Sequence, residues 1–408
     1  MKIAFLLTQS LDSPSGLGRF GPLARELARL GHSIEIFALH PDWEHLPRRS
    51  FEEQGVRVSY AAPMHVRKHG STKQYYSPAR LLAVTARAAF SLAQALSRSQ
   101  AEVVQVCKPQ PMNALAARLA RRGRPVFVDC DDYEAATNRF QGAWQKRIVQ
   151  YFEDGAAHYA AGITTNTCFT RDRYQALGYP ASRLVYVPNG VERQRFSQPS
   201  DPDDLRRRWG LEPDDPLVVY AGTLGLASHP VDLLLQAFVE VLARLPRARL
   251  LLAGGGEDFE NLQKMAAELG FGEAVIFAGR VHPDEVPGYL RMATVTVDPV
   301  HDDLVARARS PLKVVESLAC GVPVVTANVG DRRSMLAGGE AGVLVKPGDS
   351  HALAEGLLQV LEDPAARQRM AQAALEQREY WYWDRLVEQF MQVYELGLSP
   401  DGTKRIHS

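Results

Sequence analysis

The run RSPLKVVESLACGVPVVT, Arg309 to Thr326, holds the residues best arranged for chemistry. Ser310 is a residue type that caps helices, Pro311 suits a first helical turn, Gly321 ends the helix and Pro323 opens a buried strand. A helix that begins beside the carboxyl ends of parallel strands points free backbone N–H groups at any anion placed there. Lys313 adds a mobile positive charge and Glu316 adds two acceptor oxygens, so one end suits a diphosphate and the other a ribose diol. The same pattern also describes a plain helix–strand unit whose Lys and Glu are solvated.

Two glycine-bearing turns offer similar chemistry. Gly16 and Gly18 lie between the first strand and the first helix, where a backbone without Cβ can approach phosphate oxygens. Their spacing falls short of G-x-G-x-x-G and equally suits a simple tight turn. Gly222 and Gly225 stand at the equivalent turn of a second series. FVDCDDYE, Phe127 to Glu134, contains Asp129-x-Asp131. Paired carboxylates of this kind bridge a divalent ion, orient a hydroxyl at a strand end, or cap the next helix. Cys107 and Lys108 in QVCKPQP are candidates for the same cleft, although a buried Cys is ordinarily packing and a Lys is ordinarily a surface charge.

The elements that must position these residues form two βαβ series. Lys2 to Thr8, Ser33 to Leu39, Val56 to Ala61, Val103 to Cys107, Val126 to Asp129 and Gly162 to Asn166 read as strands, with Phe20, Leu23, Leu27 and Leu30 at helical spacing between the first two. The grammar restarts at Leu217 to Ala221 and runs through Arg249 to Ala253, Ala274 to Phe277, Val295 to Val297, Val322 to Thr326 and Gly342 to Val345. Such units imply parallel sheets covered by helices. VPNGVERQRFSQPSDPDD between them has the composition of an interdomain connection. The closing EYWYWDRLVEQFMQVYELGL carries more aromatic surface than a solvated tail needs, so it docks on its own domain or on the first.

A chain of 408 residues exceeds what one core fills, and 46% apolar with 23% charged residues describes an ordinary folded protein. The zero net charge conceals a basic half, with 24 Lys+Arg against 15 Asp+Glu in residues 1–190, and an acidic one, with 23 against 32 in residues 191–408. The basic half suits an anionic membrane surface or a phosphate-bearing acceptor; two oppositely charged domains facing each other account for the asymmetry equally well. No stretch approaches the roughly 18 apolar residues of a membrane span, and MKIAFLLTQS is too short an apolar run for a signal peptide. Four scattered Cys without a Cys-x-x-Cys pair argue against a disulfide framework or a structural zinc, and fit a reducing cytoplasm.

SPLKVVESLACGVPVV resembles the signature of the family 4 (group 1) retaining glycosyltransferases. The resemblance continues in order through SGLGRFGPLARELARLGH, VPNGVERQRF, VVYAGTLG, LLAGGGED, FAGRV and GVLVKPGDSHALAEGL. It implies the GT-B fold: two Rossmann-like α/β domains with parallel sheets facing across a cleft, here 1–195 for the acceptor and 196–380 for the nucleotide-sugar donor. It also implies that the last helix, within 381–408, crosses back to the first domain, and that the domains close about Val187 to Phe196. Implied at the donor are Gly16, Gly18, Gly222, Thr223, His229, Arg280, Ser310, Pro311, Leu312, Lys313 and Glu316, with Glu316 on the ribose and Lys313 on the leaving group. Implied at the acceptor are Cys107, Lys108, Asp131 and Asp132, with Asp131 catalytic.

Transfer in this family is drawn with retention, no enzyme nucleophile, no metal and no cofactor beyond the sugar nucleotide. The acceptor is a hydroxyl of a glycan, a lipid-linked sugar or a small molecule, in cell-envelope or other glycoconjugate synthesis. The cysteine usage fits a cytoplasmic location, the basic first half suits a peripheral place at the inner membrane face, and nucleic acid is not expected as a partner. Two positions depart from the family: Thr223 stands where an Arg is usual, and Ala308 where a second Glu is usual, eight residues before Glu316. These departures keep open a GT-B epimerase or phosphorylase, or a non-catalytic nucleotide-sugar binder. A dinucleotide-dependent oxidoreductase would want a fuller glycine fingerprint and an acidic residue where Leu39 or His40 stands.

Overall fold

The structure is a computed structural model and describes residues 1–69, 72–138, 140, 142–198 and 201–399. Part of the expected connection, residues 199 and 200, and the end of the expected final segment, residues 400–408, lie outside the described residues. The chain divides into two compact units, one of Met1–Asn189, Ala308–Ser310 and the residues from Trp383 on, the other of Gly190–Arg307 and Pro311–Tyr382.

The first unit contains β1 (Lys2–Leu7), β2 (Ser33–His40), β3 (Ser50–Glu53), β4 (Val56–Pro63), β5 (Val66–His69), β6 (Thr72–Tyr75), β7 (Val103–Cys107), β8 (Val126–Cys130), β9 (Gly162–Thr165) and β10 (Leu184–Tyr186). Eight of these make one sheet in the order β10-β9-β8-β7-β1-β2-β4-β3, parallel except where β3 runs against β4. Ile3 to Leu7 are almost wholly buried because helices cover both faces, which is why β1 reads as a continuous apolar run and not as an alternation. β5 and β6, which pair only with each other, escaped the sequence reading, and so did β3 and β10 of the large sheet. β3 is a largely exposed edge with no apolar run, and β10 has only three residues.

The second unit contains β11 (Leu217–Ala221), β12 (Arg249–Ala253), β13 (Val275–Gly279), β14 (Val295–Asp298), β15 (Val324–Ala327) and β16 (Gly342–Val345), all parallel, in the order β13-β12-β11-β14-β15-β16. In each sheet the strand order reverses beside the first strand, between β2 and β7 around β1 and between β12 and β14 around β11. The crevice outside the carboxyl ends of strands at such a point is where open α/β sheets bind ligands.

The final helix, Trp383–Leu398, belongs to the first unit. Its Trp383, Leu386, Val387, Phe390, Val393 and Tyr394 are buried with Phe5, Phe20, Leu23 and Phe127. Glycines permit the close approach: a Cβ at Gly162 would lie 2.6 Å from Val393 Cγ2, and one at Gly397 would lie 2.4 Å from Phe127 Cε1. The Trp383 indole N–H donates to the Gly18 carbonyl (3.1 Å), and the Tyr394 hydroxyl to Gln105 Oε1 (2.9 Å). Each large apolar side chain fully buried here contributes about 1.5–3 kcal/mol.

Candidate functional site

Of the run Arg309 to Thr326, the part from Pro311 on belongs to the second unit and forms the helix Leu312–Ala319 followed by β15, with Gly321 at φ +72 in the turn between them. Ser310 does not cap this helix, contrary to expectation: the cap position is Pro311, with no side-chain hydrogen bond. The Ser310 hydroxyl instead accepts the Asn189 N–H (3.2 Å), and the Asn189 amide donates to the Ser310 carbonyl (2.9 Å), both residues belonging to the first unit. The helix begins one residue later than expected, which puts Ser310 outside the cap position.

Lys313 and Glu316 stand one turn apart on the helix. The Lys313 ammonium donates to Asp298 Oδ1 (3.1 Å) at the carboxyl end of β14 and lies 5.3 Å from the centre of the Tyr220 ring. Asp298 Oδ2 also accepts from the Arg332 Nε–H (2.8 Å) and the Thr326 hydroxyl (3.1 Å). Burial opposes ionisation of Asp298, but Lys313 and Arg332 outweigh it and hold the carboxyl well below its ordinary range. Glu316 Oε1 lies 3.4 Å from Arg195 Nη2; burial raises its pKa, with Arg195 and Lys313 pulling the other way. Asp298, Arg332 and Arg195 were not found from sequence. They come from three separate segments, and an isolated Asp or Arg carries no local signal of burial.

The glycines of this unit bring backbone together. A Cβ at Gly222 would lie 3.1 Å from Lys313 Cε, one at Gly254 would lie 1.8 Å from the Gly222 carbonyl oxygen, and one at Gly256 would lie 2.0 Å from that of Leu224. The turn after β11 thus presses on the GGG turn after β12, with the Gly222 N–H on the Ala253 carbonyl (2.9 Å) and the Leu224 N–H on the Gly255 carbonyl (3.1 Å). Arg280 is exposed, with its stem against Gly255. Thr223 is exposed, and the half-buried His229 turns back through its N–H to the Gly225 carbonyl (3.0 Å). Asp302 pairs with exposed Arg307, and Asp303 caps the short helix Leu304–Arg307 through the Ala306 N–H (2.7 Å). Pro311 is buried and Leu312 half-buried.

In the first unit a second polar cluster lies at the carboxyl ends of β7, β8 and β9. Lys108 is 3% exposed and sits at φ +67, a costly backbone state for a side-chain-bearing residue. Its ammonium lies 2.9 Å from Asp132 Oδ2, 2.9 Å from Glu134 Oε1 and 3.1 Å from Asp131 Oδ1. Burial disfavours this ammonium, but the three carboxylates raise its pKa well above ordinary. Lys108 is therefore no surface charge. Glu134, although buried, is held low by Lys108 and the Gln110 and Asn138 amides, whereas burial pushes Asp131 up to about 7. Asp131 Oδ1 is close enough to Lys108 for attraction, yet it accepts no aligned hydrogen bond among the described residues. Asp131, Asp132 and Glu134 have the spacing of a cation site, and the ammonium of Lys108 stands among them.

Asp129, the other half of the Asp-x-Asp, faces Arg19. The guanidinium grips it through Nε (2.9 Å) and Nη2 (2.8 Å) and donates Nη1 to the Val187 carbonyl (3.0 Å) and Asn189 Oδ1 (3.2 Å). Arg19 lies in the turn Gly16–Phe20, where a Cβ at Gly16 would lie 2.5 Å from the Ser10 and Leu11 carbonyl oxygens. Gly16 is thus required by packing, and the Gly18 carbonyl is engaged by Trp383. Cys107 is buried with Phe127 in an apolar cluster, and burial, with Asp129 and Asp131 nearby, raises its thiol pKa well above ordinary.

Comparison with known proteins completes the picture. Residues 17–190 match the family described as "Glycosyl transferase 4-like domain", and residues 201–377 match "Glycosyl transferases group 1". A D-inositol 3-phosphate glycosyltransferase of Acidothermus cellulolyticus is 34% identical over 247 residues, covering 58% of this chain and 53% of the relative. The chain thus spans about half the length of that relative. A GDP-mannose-dependent alpha-(1-6)-phosphatidylinositol monomannoside mannosyltransferase of Mycolicibacterium smegmatis is 27% identical over 365 residues, 88% of each chain. Among solved structures, sucrose-phosphate synthase from Thermosynechococcus elongatus superposes with a TM-score of 0.78 at 19% identity, covering 97% of this chain and 98% of the other. Anabaena HepE with UDP-glucose superposes with 0.72 at 20% identity, covering 97% and 98%. At these identities the structural likenesses establish the fold.

Proposed function

We propose how this chain, which belongs to the family 4 (group 1) glycosyltransferases of the GT-B fold, divides a transfer reaction between its units. The second unit holds the nucleotide-diphosphate sugar, and the first holds a hydroxyl acceptor. The observation that carries the donor assignment is the meeting of Lys313, Glu316 and the Gly222 turn. Lys313, Arg332 and Arg195 stand there with Asp298, Glu316 and Glu192, so the charges balance and the fit to an anionic ligand rests on the backbone N–H groups at the start of the helix Leu312–Ala319 together with Lys313. Lys313, with the backbone N–H groups from Leu312 on, stabilises charge developing on the leaving diphosphate, and Glu316 accepts the ribose hydroxyls. Lys313, fixed by Asp298, supplies in part what the missing Arg at Thr223 supplies elsewhere.

Relatives named for GDP-mannose and a structural neighbour holding UDP-glucose support a sugar nucleotide as donor. We assign retention of configuration, with departure of the diphosphate and arrival of the acceptor on one face and with no enzyme nucleophile. Asp131 orients the acceptor hydroxyl. No metal is needed, because the Lys108 ammonium holds the place a cation would take among Asp131, Asp132 and Glu134. The reaction serves cell-envelope glycoconjugates, in keeping with the mannosyltransferase relative.

Among the described residues no helix is long and apolar enough to cross a membrane. The helix Pro78–Arg98 nevertheless carries Arg80, Arg87 and Arg98, lacks any Asp or Glu, and leaves Leu82 and Phe90 55% and 67% exposed. We assign this helix to an anionic membrane surface. Cosedimentation with phosphatidylglycerol vesicles but not phosphatidylcholine vesicles, weakening with salt, checks it.

The donor assignment is tested by calorimetric titration with UDP, GDP, ADP and TDP, followed by mass spectrometry of products with the matching sugar donors. Glu316→Ala weakens the best nucleotide at least about tenfold, as expected for loss of a charged hydrogen bond. Unchanged affinity refutes the assignment.

A further inference from the structure

The carboxyl edge of the first sheet carries information about the acceptor that the family resemblance does not supply. Asn166, directly after β9, is fully buried and donates its amide N–H to the Asp131 carbonyl, which fixes its side chain beside Asp131. Its other atom, Oδ1, and Asp131 Oδ1 make no hydrogen bond among the described residues. Both are acceptors once Asp131 is ionised. At the end of β1, two strands from β8 in the sheet, the buried Thr8 and Ser10 hydroxyls also have no partner among the described residues. Buried polar atoms left unmatched are costly, and they are retained where a ligand satisfies them.

The charges around these atoms are one-sided. Lys108 faces three carboxylates, and Arg19 is committed to Asp129 and to the Val187 and Asn189 oxygens. Arg173, above the Tyr133 ring at 4.4 Å, pairs with Asp154. A phosphate placed here meets acceptor oxygens and a net negative field, whereas a ring hydroxyl meets the partners it can donate to.

We propose that Asp131 and Asn166 select an acceptor whose engaged ring is an uncharged polyol, a sugar or a cyclitol without phosphate on the hydroxyls that enter this edge. This rests on the assignment of the acceptor to the first unit. It separates the chain from any relative whose acceptor ring bears phosphate at the contacted positions.

The test is ligand-observed NMR titration of the full chain with myo-inositol and D-mannose, in parallel with D-inositol 3-phosphate and mannose 6-phosphate. At least one neutral ring binds, and its phosphorylated counterpart binds at least about tenfold more weakly, because like charges are opposed at short range. Asn166→Ala weakens the neutral ring about fivefold, the worth of one ordinary hydrogen bond. Asp131→Asn narrows the discrimination against phosphate and serves independently should Asn166→Ala fail to fold by circular dichroism. Equal or tighter binding of the phosphorylated ring, binding of none of the four, or discrimination unmoved by Asp131→Asn overturns the proposal. Nucleotide titration of the same wild-type sample reports on the second unit separately: loss of nucleotide binding with ring selectivity intact counts against the donor assignment alone.

Discussion

Asp298→Asn is the substitution whose consequences the structure defines most fully. The carboxylate is 2% exposed and is shared by Lys313 and by Arg332, itself 1% exposed. Asparagine keeps the shape but leaves two cations facing a neutral amide. Removing one partner of a buried ion pair costs about 3–5 kcal/mol. In a unit of this size each kcal/mol moves the midpoint by about 2–4 °C, so scanning calorimetry registers a fall of roughly 6–20 °C in the transition of the second unit. The pH dependence has a definite sign. The folded carboxyl titrates below its unfolded value of about 3.9, so its stabilisation is present above pH ~4 and is lost as pH falls further. The curves for wild type and Asp298→Asn therefore converge below about pH 4. Adding Lys313→Met to Asp298→Asn recovers part of the loss, since one uncompensated cation is gone. A fall of less than about 2 °C at pH 7, smaller than 1 kcal/mol would give, or curves that stay parallel to acid, refutes the reasoning.

Other outcomes follow from the same geometry. Gly254→Ala drives a methyl into the Gly222 carbonyl oxygen and displaces the turn beneath Lys313; nucleotide affinity falls at least about tenfold, read by calorimetry, by disturbance of the charged contacts there. In the first unit, burial and the nearby Glu134 push Glu153 up to about 8, while its carboxylate accepts the Glu134 and Ala135 N–H groups. Because the unfolded group titrates near 4, folding retains its proton between about pH 4 and 8, and stability falls as pH rises through that window. Glu153→Gln flattens the decline of thermal midpoint from pH 5 to 8. Truncation after Tyr382 removes six buried large side chains of the final helix and abolishes the cooperative unfolding of the first unit in calorimetry. EDTA leaves transfer unchanged if Lys108 stands in for a metal, as a product assay with and without chelator shows.

Much was legible in the sequence because it is local. Two runs of βαβ grammar, the glycine after Ala319 and Cys320, and the order of motifs along the chain fixed the fold class and family, since strand burial and helix periodicity are written into residue spacing. The same locality picked out Lys313 and Glu316, which share one helix and lie one turn apart. The partners that give those residues their chemistry were not legible. Asp298, Arg195 and Arg332 are remote in sequence, and so are Arg19 and Asp129, 110 positions apart. Ser310, read as a cap from its type and place, bonds Asn189, 121 positions earlier. Lys108, read as a surface charge or a cleft residue, is buried among three carboxylates. Residue type and spacing determined which groups were present and how the backbone would fold around them. Only tertiary structure decided which charges were desolvated and paired, because burial and pairing depend on distances that the chain closes only when its sheets assemble.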